Sequence, residues 1–148
     1  MTYCPDPVSL KDRMCLIGAA RSWFAEGKTS ALASYVSSEE IDIHDQIFAP
    51  ENGGYGPPLM WYKAQMANVN VHDEATLAAE QSHIKQPTLL ITAANDYIAI
   101  PSMQEQGMRP YVKNLKVESV DTGHWLQLEK PDEVNQTLER FFTEIAAA

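Results

Sequence analysis

The run Thr88-Leu-Leu-Ile-Thr, which ends on Asn95-Asp96, limits the possible folds more than any other part of this chain. It is continuously apolar and β-branched, without the alternation of a strand that has one wet face. Such a run fits a parallel strand covered on both faces. Parallel strands need a crossover connection, and the residues that follow supply one. Pro101 to Met108 reads as a short helix, and Leu115 to Val120 as a second strand with Leu115, Val117 and Ser119 on one face. Pro131 to Ile145 reads as an amphipathic helix with Val134, Leu138, Phe141 and Phe142 facing inward. From residue 86 the chain is therefore expected to run strand-helix-strand-helix, an α/β arrangement.

Residues 1–85 have a different pattern. Pro5, Asp6 and Pro7 mark an opening loop. Leu10, Met14, Leu16, Ile17 and Phe24 recur at helical spacing, with Ser9 as a cap and Gly27 as a stop, which predicts a helix from Ser9 to about Phe24. Ser37-Ser-Glu-Glu40 has the form of a capping box and predicts a second helix to about Phe48. Pro50 to Pro58 is a loop by composition. A third helix starts at Pro57 or Pro58, where proline is tolerated, and carries Leu59, Trp61, Tyr62 and Met66. A fourth short helix covers Asp73 to Gln81. This division predicts a helical portion over 1–85 and an α/β portion over 86–148.

Charge and composition exclude several functions. Eleven Lys and Arg against twenty Asp and Glu leave a formal charge of −9, which repels phosphate backbones and argues against nucleic-acid binding. No stretch approaches the roughly 20 apolar residues that span a bilayer, and no basic cluster marks a membrane-surface patch. The first residues lack the charged start and apolar middle of a secretory signal. Cys4 and Cys15 then read as free thiols in a reducing, cytoplasmic setting rather than as a disulfide. Two cysteines and four scattered histidines lack the spacing of a metal site, so no metal is expected.

The chemistry concentrates in Asp96 and His124. Ligands in open α/β sheets bind beyond the carboxyl ends of the strands. Asp96 stands just past the end of the first strand and His124 just past the end of the second. Adjacent strands lie about 5 Å apart, so the two loops can meet. A carboxylate there would accept the imidazole N–H, fix its tautomer and stabilise its charged form. Asp121 is the rival acid, but it lies three residues from His124 on the same turn, and a turn-capping role suits it better. His44, His72 and His83 fall on polar helix faces or near a helix end and read as solvated surface residues.

These residues carry a resemblance. Asn95-Asp96-Tyr-Ile-Ala-Ile-Pro, Asp121-Thr-Gly-His124-Trp125 and Glu129-Lys-Pro-Asp-Glu-Val-Asn135 resemble the acid loop, base loop and last helix of soluble epoxide hydrolases, within the α/β-hydrolase family. Gly56-Pro-Pro-Leu-Met-Trp61-Tyr62 resembles the lid segment of the same family. The resemblance implies an incomplete α/β-hydrolase fold, a helical lid followed by strand-helix-strand-helix. It implies Asp96 and His124 as the acid and base of the catalytic machinery. It also implies that the Tyr62 hydroxyl faces an epoxide oxygen, with Trp61 and Trp125 beside the substrate. A phenol can donate a hydrogen bond as an opening epoxide becomes an alkoxide. A dehalogenase or esterase with the same acid and base loops is the competing enzymatic reading, and a non-catalytic interaction protein is another.

In that family the nucleophile is an aspartate on a glycine-framed strand-to-helix elbow. None of the seven glycines of this chain frames such an elbow, and the family's oxyanion loop and first lid tyrosine are missing. The chain thus resembles the lid and C-terminal portion of a longer enzyme, inactive alone. The first strand should then have an unpaired edge that invites pairing with a separate N-terminal piece or a second copy.

Overall fold

The computed structural model describes residues 11–13, 16–77 and 83–147. Its elements in chain order are α1 (Ala19–Ala25), α2 (Ser38–Ile47), α3 (Gly56–Met66), α4 (Val71–Glu74), β1 (Thr88–Ala93), α5 (Pro101–Met108), β2 (Leu115–Val120), α6 (Leu126–Glu129) and α7 (Pro131–Ala146). A 3-10 turn at Pro50–Asn52 leads into α3. Cys4 and Cys15 lie outside the described residues. Among the described residues no helix is long and apolar enough to cross a membrane.

The chain divides into two compact units, and the division does not follow chain order. The residues up to Tyr35 group with those from His83 onward, and the segment beginning at Val36 forms the other unit.

In the first unit β1 and β2 pair in parallel, with Thr88 opposite Leu115 and Ala93 opposite Val120. A single bridge between Ile84 and Val112 continues the pairing backward. The α/β character expected from the apolar run is present. Val120, Ala93, Val112, Val134 and Phe141 are buried. So are the polar residues Thr92, Asp96, Thr122 and Thr137.

On β2 Leu115, Val117 and Ser119 share one face, as expected, and the buried Val120 lies on the other. Two expectations in this unit are corrected. On α7 the inward stripe is Val134, Thr137 and Phe141, and Phe142 is 59% exposed. Thr137 escapes a hydropathy reading because its hydroxyl is satisfied locally, donating to the Glu133 carbonyl at 2.9 Å. The helix expected from Ser9 to Phe24 is interrupted. Lys11–Arg13 are helical, but Gly18 takes a left-handed φ of 84° and α1 begins only at Ala19. A glycine adopts that conformation without the steric cost that would hold other residues helical.

In the second unit α2 begins on the capping box read from sequence. The Ser37 hydroxyl accepts from the Glu40 amide at 3.2 Å, and the Glu40 carboxylate accepts from the Ser37 amide at 2.8 Å. α3 begins at Gly56 with prolines in its first turn. The helix expected from Asp73 to Gln81 is corrected: α4 runs only from Val71 to Glu74, the chain leaves the helix over residues 75–77, and residues 78–81 lie outside the described ones.

Candidate active site

Both residues of the candidate pair sit in loops that leave the carboxyl ends of neighbouring strands. Backbone bonds lace these loops together. The Ala94 amide donates to the Val120 carbonyl at 2.8 Å, and the Asn95 amide donates to the Thr122 carbonyl at 2.9 Å. The Asn95 side-chain amide donates to Asp121 Oδ1 at 2.9 Å. Asp121, the rival acid, is thus a tie between the two loops. Asn95 was given no role in the sequence reading, and the loop path that brings its side chain to Asp121 cannot be read from spacing alone.

The tie delivers Asp96 to His124. Asp96 Oδ2 lies 2.8 Å from His124 Nδ1. The other carboxylate oxygen, Oδ1, accepts from the Ile98 amide at 2.8 Å and the Ala99 amide at 3.0 Å. Each of these hydrogen bonds is aimed by a backbone amide or by the imidazole. The Asp96 side chain is only 4% exposed, and that of His124 is 27% exposed. The carboxylate is rooted inside, and the ring stands at the surface of the site.

Burial is the largest single influence on the Asp96 carboxyl and pushes its pKa up. The hydrogen bond from His124, the Ala99 and Ile98 amides and the charge of His124 act the other way and together outweigh it. The net result holds Asp96 below the ordinary aspartate range, so it stays a carboxylate. With Nδ1–H donating to that carboxylate, Nε2 becomes the basic nitrogen of the ring.

The remaining candidates divide between the two units. Trp125 is half-buried, and its ring meets that of His124 edge-on, with centroids 5.3 Å apart and planes at 76°. Trp61 and Tyr62 lie on α3, in the other unit, and are 71% and 62% exposed. Their exposure sets them apart from packed side chains of an amphipathic helix.

His44 needs a correction. It is half-buried rather than solvated, and both ring nitrogens are engaged: Nδ1 with Asp45 Oδ1 at 2.9 Å and Nε2 with the Tyr55 hydroxyl at 2.5 Å. Tyr55 in turn stacks on Phe48, with centroids 4.7 Å apart. The cluster joins the end of α2 to the start of α3. Helical periodicity misses it because Tyr55 lies outside α2. His72 and His83 are exposed, as expected, and the His83 ring lies 6.0 Å from that of Tyr111.

Fold and site together define an α/β protein with a carboxylate–imidazole pair at adjoining strand tips. Sequence comparison is more specific. Over 109 residues, 72% of this chain, it is 33% identical to bifunctional epoxide hydrolase 2 of Rattus norvegicus, and equally to that of Mus musculus. It is 30% identical over 110 residues, again 72% of the chain, to an epoxide hydrolase of Neurospora crassa. These homologues are epoxide hydrolases, as the motifs implied. The chain spans 18% of the length of the rat and mouse proteins and 31% of the Neurospora protein. No protein-family model matches it.

Proposed function

We propose that this chain carries the acid–base end and part of the lid of an epoxide hydrolase, an enzyme that opens an epoxide to a vicinal diol without metal or organic cofactor. The observation that carries the reading is the 2.8 Å contact between Asp96 and His124 at two parallel strand tips, in a chain whose homologues are epoxide hydrolases.

In this reading residues 86–148 are the end of an α/β-hydrolase core, and the helical segments before them belong to the lid. A carboxylate outside these 148 residues attacks an epoxide carbon. The C–O bond breaks, an enzyme ester forms, and the departing oxygen takes the Tyr62 phenolic proton. Trp61 and Trp125 border the substrate. His124 Nε2 then removes a proton from water, which attacks the ester. Asp96 holds the ring in the required tautomer and stabilises the imidazolium that forms. The diol leaves, the nucleophilic carboxylate is restored, and the proton held by His124 returns to the Tyr62 phenolate through solvent.

The open side of the sheet fits a role as part of a larger whole. β1 pairs with β2 and with no other strand among the described residues. An apolar edge of this kind is satisfied by pairing with the missing portion of the sheet, or by a second copy in its absence.

The test is conversion of a small epoxide by the chain alone and by the chain fused to the N-terminal part of the Rattus norvegicus enzyme. We expect negligible turnover from the chain alone and diol formation from the fusion. Tyr62→Phe in the fusion should slow epoxide opening on the order of 100-fold. Unchanged turnover in Tyr62→Phe would favour a dehalogenase or esterase relative instead. Turnover by the chain alone that survives His124→Ala would overturn the assignment.

A further inference from the structure

We infer that Glu129 is a positioning residue for His124, acting through the Gly123 amide. The inference deepens the proposed function, since its value to catalysis rests on His124 being the base. The geometry it describes does not depend on that reading.

His124 is reached through a turn, Thr122-Gly123-His124, that must hold one shape if Nδ1 is to meet Asp96. Upstream the turn is tied to the strand and to the Asp96 loop. The Thr122 amide donates to the Val120 carbonyl at 2.9 Å, and the Thr122 carbonyl accepts from the Asn95 amide. Downstream the chain enters α6, a single turn of helix. Between these two anchors the Gly123 amide points at Glu129, six residues on, and donates to its Oε2 at 2.8 Å. A hydrogen bond to a charged acceptor is among the stronger kinds, and this one lies one residue from the imidazole.

Glycine at 123 is part of the same device. A Cβ there would fall 3.0 Å from Glu129 Oε1 and 3.6 Å from Oε2. The carboxylate lies tight against the space a side chain would take, so a Cβ at 123 would push it back by a few tenths of an ångström from the amide it accepts from. Gly123 and Glu129 are therefore complementary: one removes its side chain so that the other can reach its amide. α6 sets the reach. The Leu128 and Glu129 amides both donate to the Trp125 carbonyl, at 2.8 and 2.9 Å, which turns the chain back so that the Glu129 carboxylate returns over the His124 loop. The neighbouring Lys130 is turned to Glu133, 3.3 Å away.

The experiment is heteronuclear NMR of the His124 ring nitrogens in this chain, with the Gly123 amide as a second reporter. Wild type should show a single tautomer protonated at Nδ1. Asp96→Asn serves as the reference for a ring released from its partner. We expect Glu129→Ala to move the His124 nitrogen shifts most of the way to that reference and to expose the Gly123 amide to exchange. Glu129→Gln, which keeps an oxygen acceptor, should restore both. Lys130→Ala, next to it on the chain, should change neither. A purely structural residue would lower stability without moving the His124 tautomer. If Glu129→Ala unfolds the chain, the comparison rests on Glu129→Gln. Ring nitrogen shifts displaced in Glu129→Gln as far as in Asp96→Asn would overturn the inference, as would wild-type shifts in a folded Glu129→Ala. Absence of epoxide turnover in the fusion would count against the proposed function and leave this result untouched.

Discussion

The two units of this chain bury their side chains very differently. From residue 83 onward the strands and α7 enclose Ala93, Val112, Val120, Val134 and Phe141, and the candidate pair is anchored against that interior. Among the described residues of the other unit, 36–77, no residue is buried. Ile47, Leu59, Met60, Trp61, Tyr62, Met66 and Val69 are all about half exposed or more. That unit is held by local devices: the capping box of α2, the stack of Phe48 on Tyr55 and the His44 bonds. Short helices are marginal in water without tertiary packing, and large apolar side chains left in water favour burial against a partner. The strand half thus carries its own reason to fold, and the helical half presents a surface.

The difference can be tested from the largest expected effect to the smallest. His124→Ala in the fusion enzyme should lower kcat on the order of 10³- to 10⁴-fold, because a general base is lost together with the group that Asp96 orients. A burst of ester formation should remain, visible by mass spectrometry of the trapped enzyme. Loss of the burst together with turnover would mean that His124 serves the first chemical step as well.

Phe141→Ala removes a buried ring from the strand half. It should cost about 3 kcal/mol, read from the urea midpoint of the β1–β2 signal. A change under about 0.5 kcal/mol would mean that this half has no core of its own, and the contrast between the units would collapse.

Acid should act on the strand half through Asp96. Its carboxyl is held below the ordinary aspartate range in the folded chain, so the folded state binds a proton less readily than the unfolded one. Its contribution to stability is present above about pH 4, the unfolded value, and is lost as pH falls through the lower folded value. The stability gap between wild type and Asp96→Asn should therefore narrow as pH drops below about 4, measured by urea titration at each pH. A gap that stays constant through that window would mean the carboxylate gains nothing from its partners.

Ser37→Ala should act only on the helical half. We expect amide exchange over α2 to quicken about fivefold, with β1 and β2 unchanged. Smallest of all, Trp61→Ala should leave the stability of the chain within about 0.5 kcal/mol, since most of that ring is already in water. A larger loss would reveal packing around α3 and sharpen the account of what the helical half relies on.

Much of the fold was legible because its signals are local. The capping box at Ser37–Glu40 needs only four residues, and prolines start α3, α5 and α7. The apolar run at Thr88 announced a strand that wanted cover on both faces. Phe142 was misread because position on a helix limits which residues face inward, and the width of the covered stripe depends on what packs there. Thr137 was passed over because hydropathy takes no account of a hydroxyl bonded to its own helix.

The candidate site shows the same divide. Sequence alone determined that an acid and a histidine stand just past two successive strands, and that a glycine precedes the histidine. Those facts follow from residue identity and short-range spacing. Only the tertiary structure decided that Asp96 rather than Asp121 meets the imidazole. It alone showed that Asn95 ties the two loops, and that Glu129 accepts from the Gly123 amide. The first two depend on strand register and loop direction, which bring residues more than twenty positions apart within 3 Å, and the third on the turn of α6. A local pattern leaves that distance open because the connecting chain can close in many ways, and packing against the common core selects one of them.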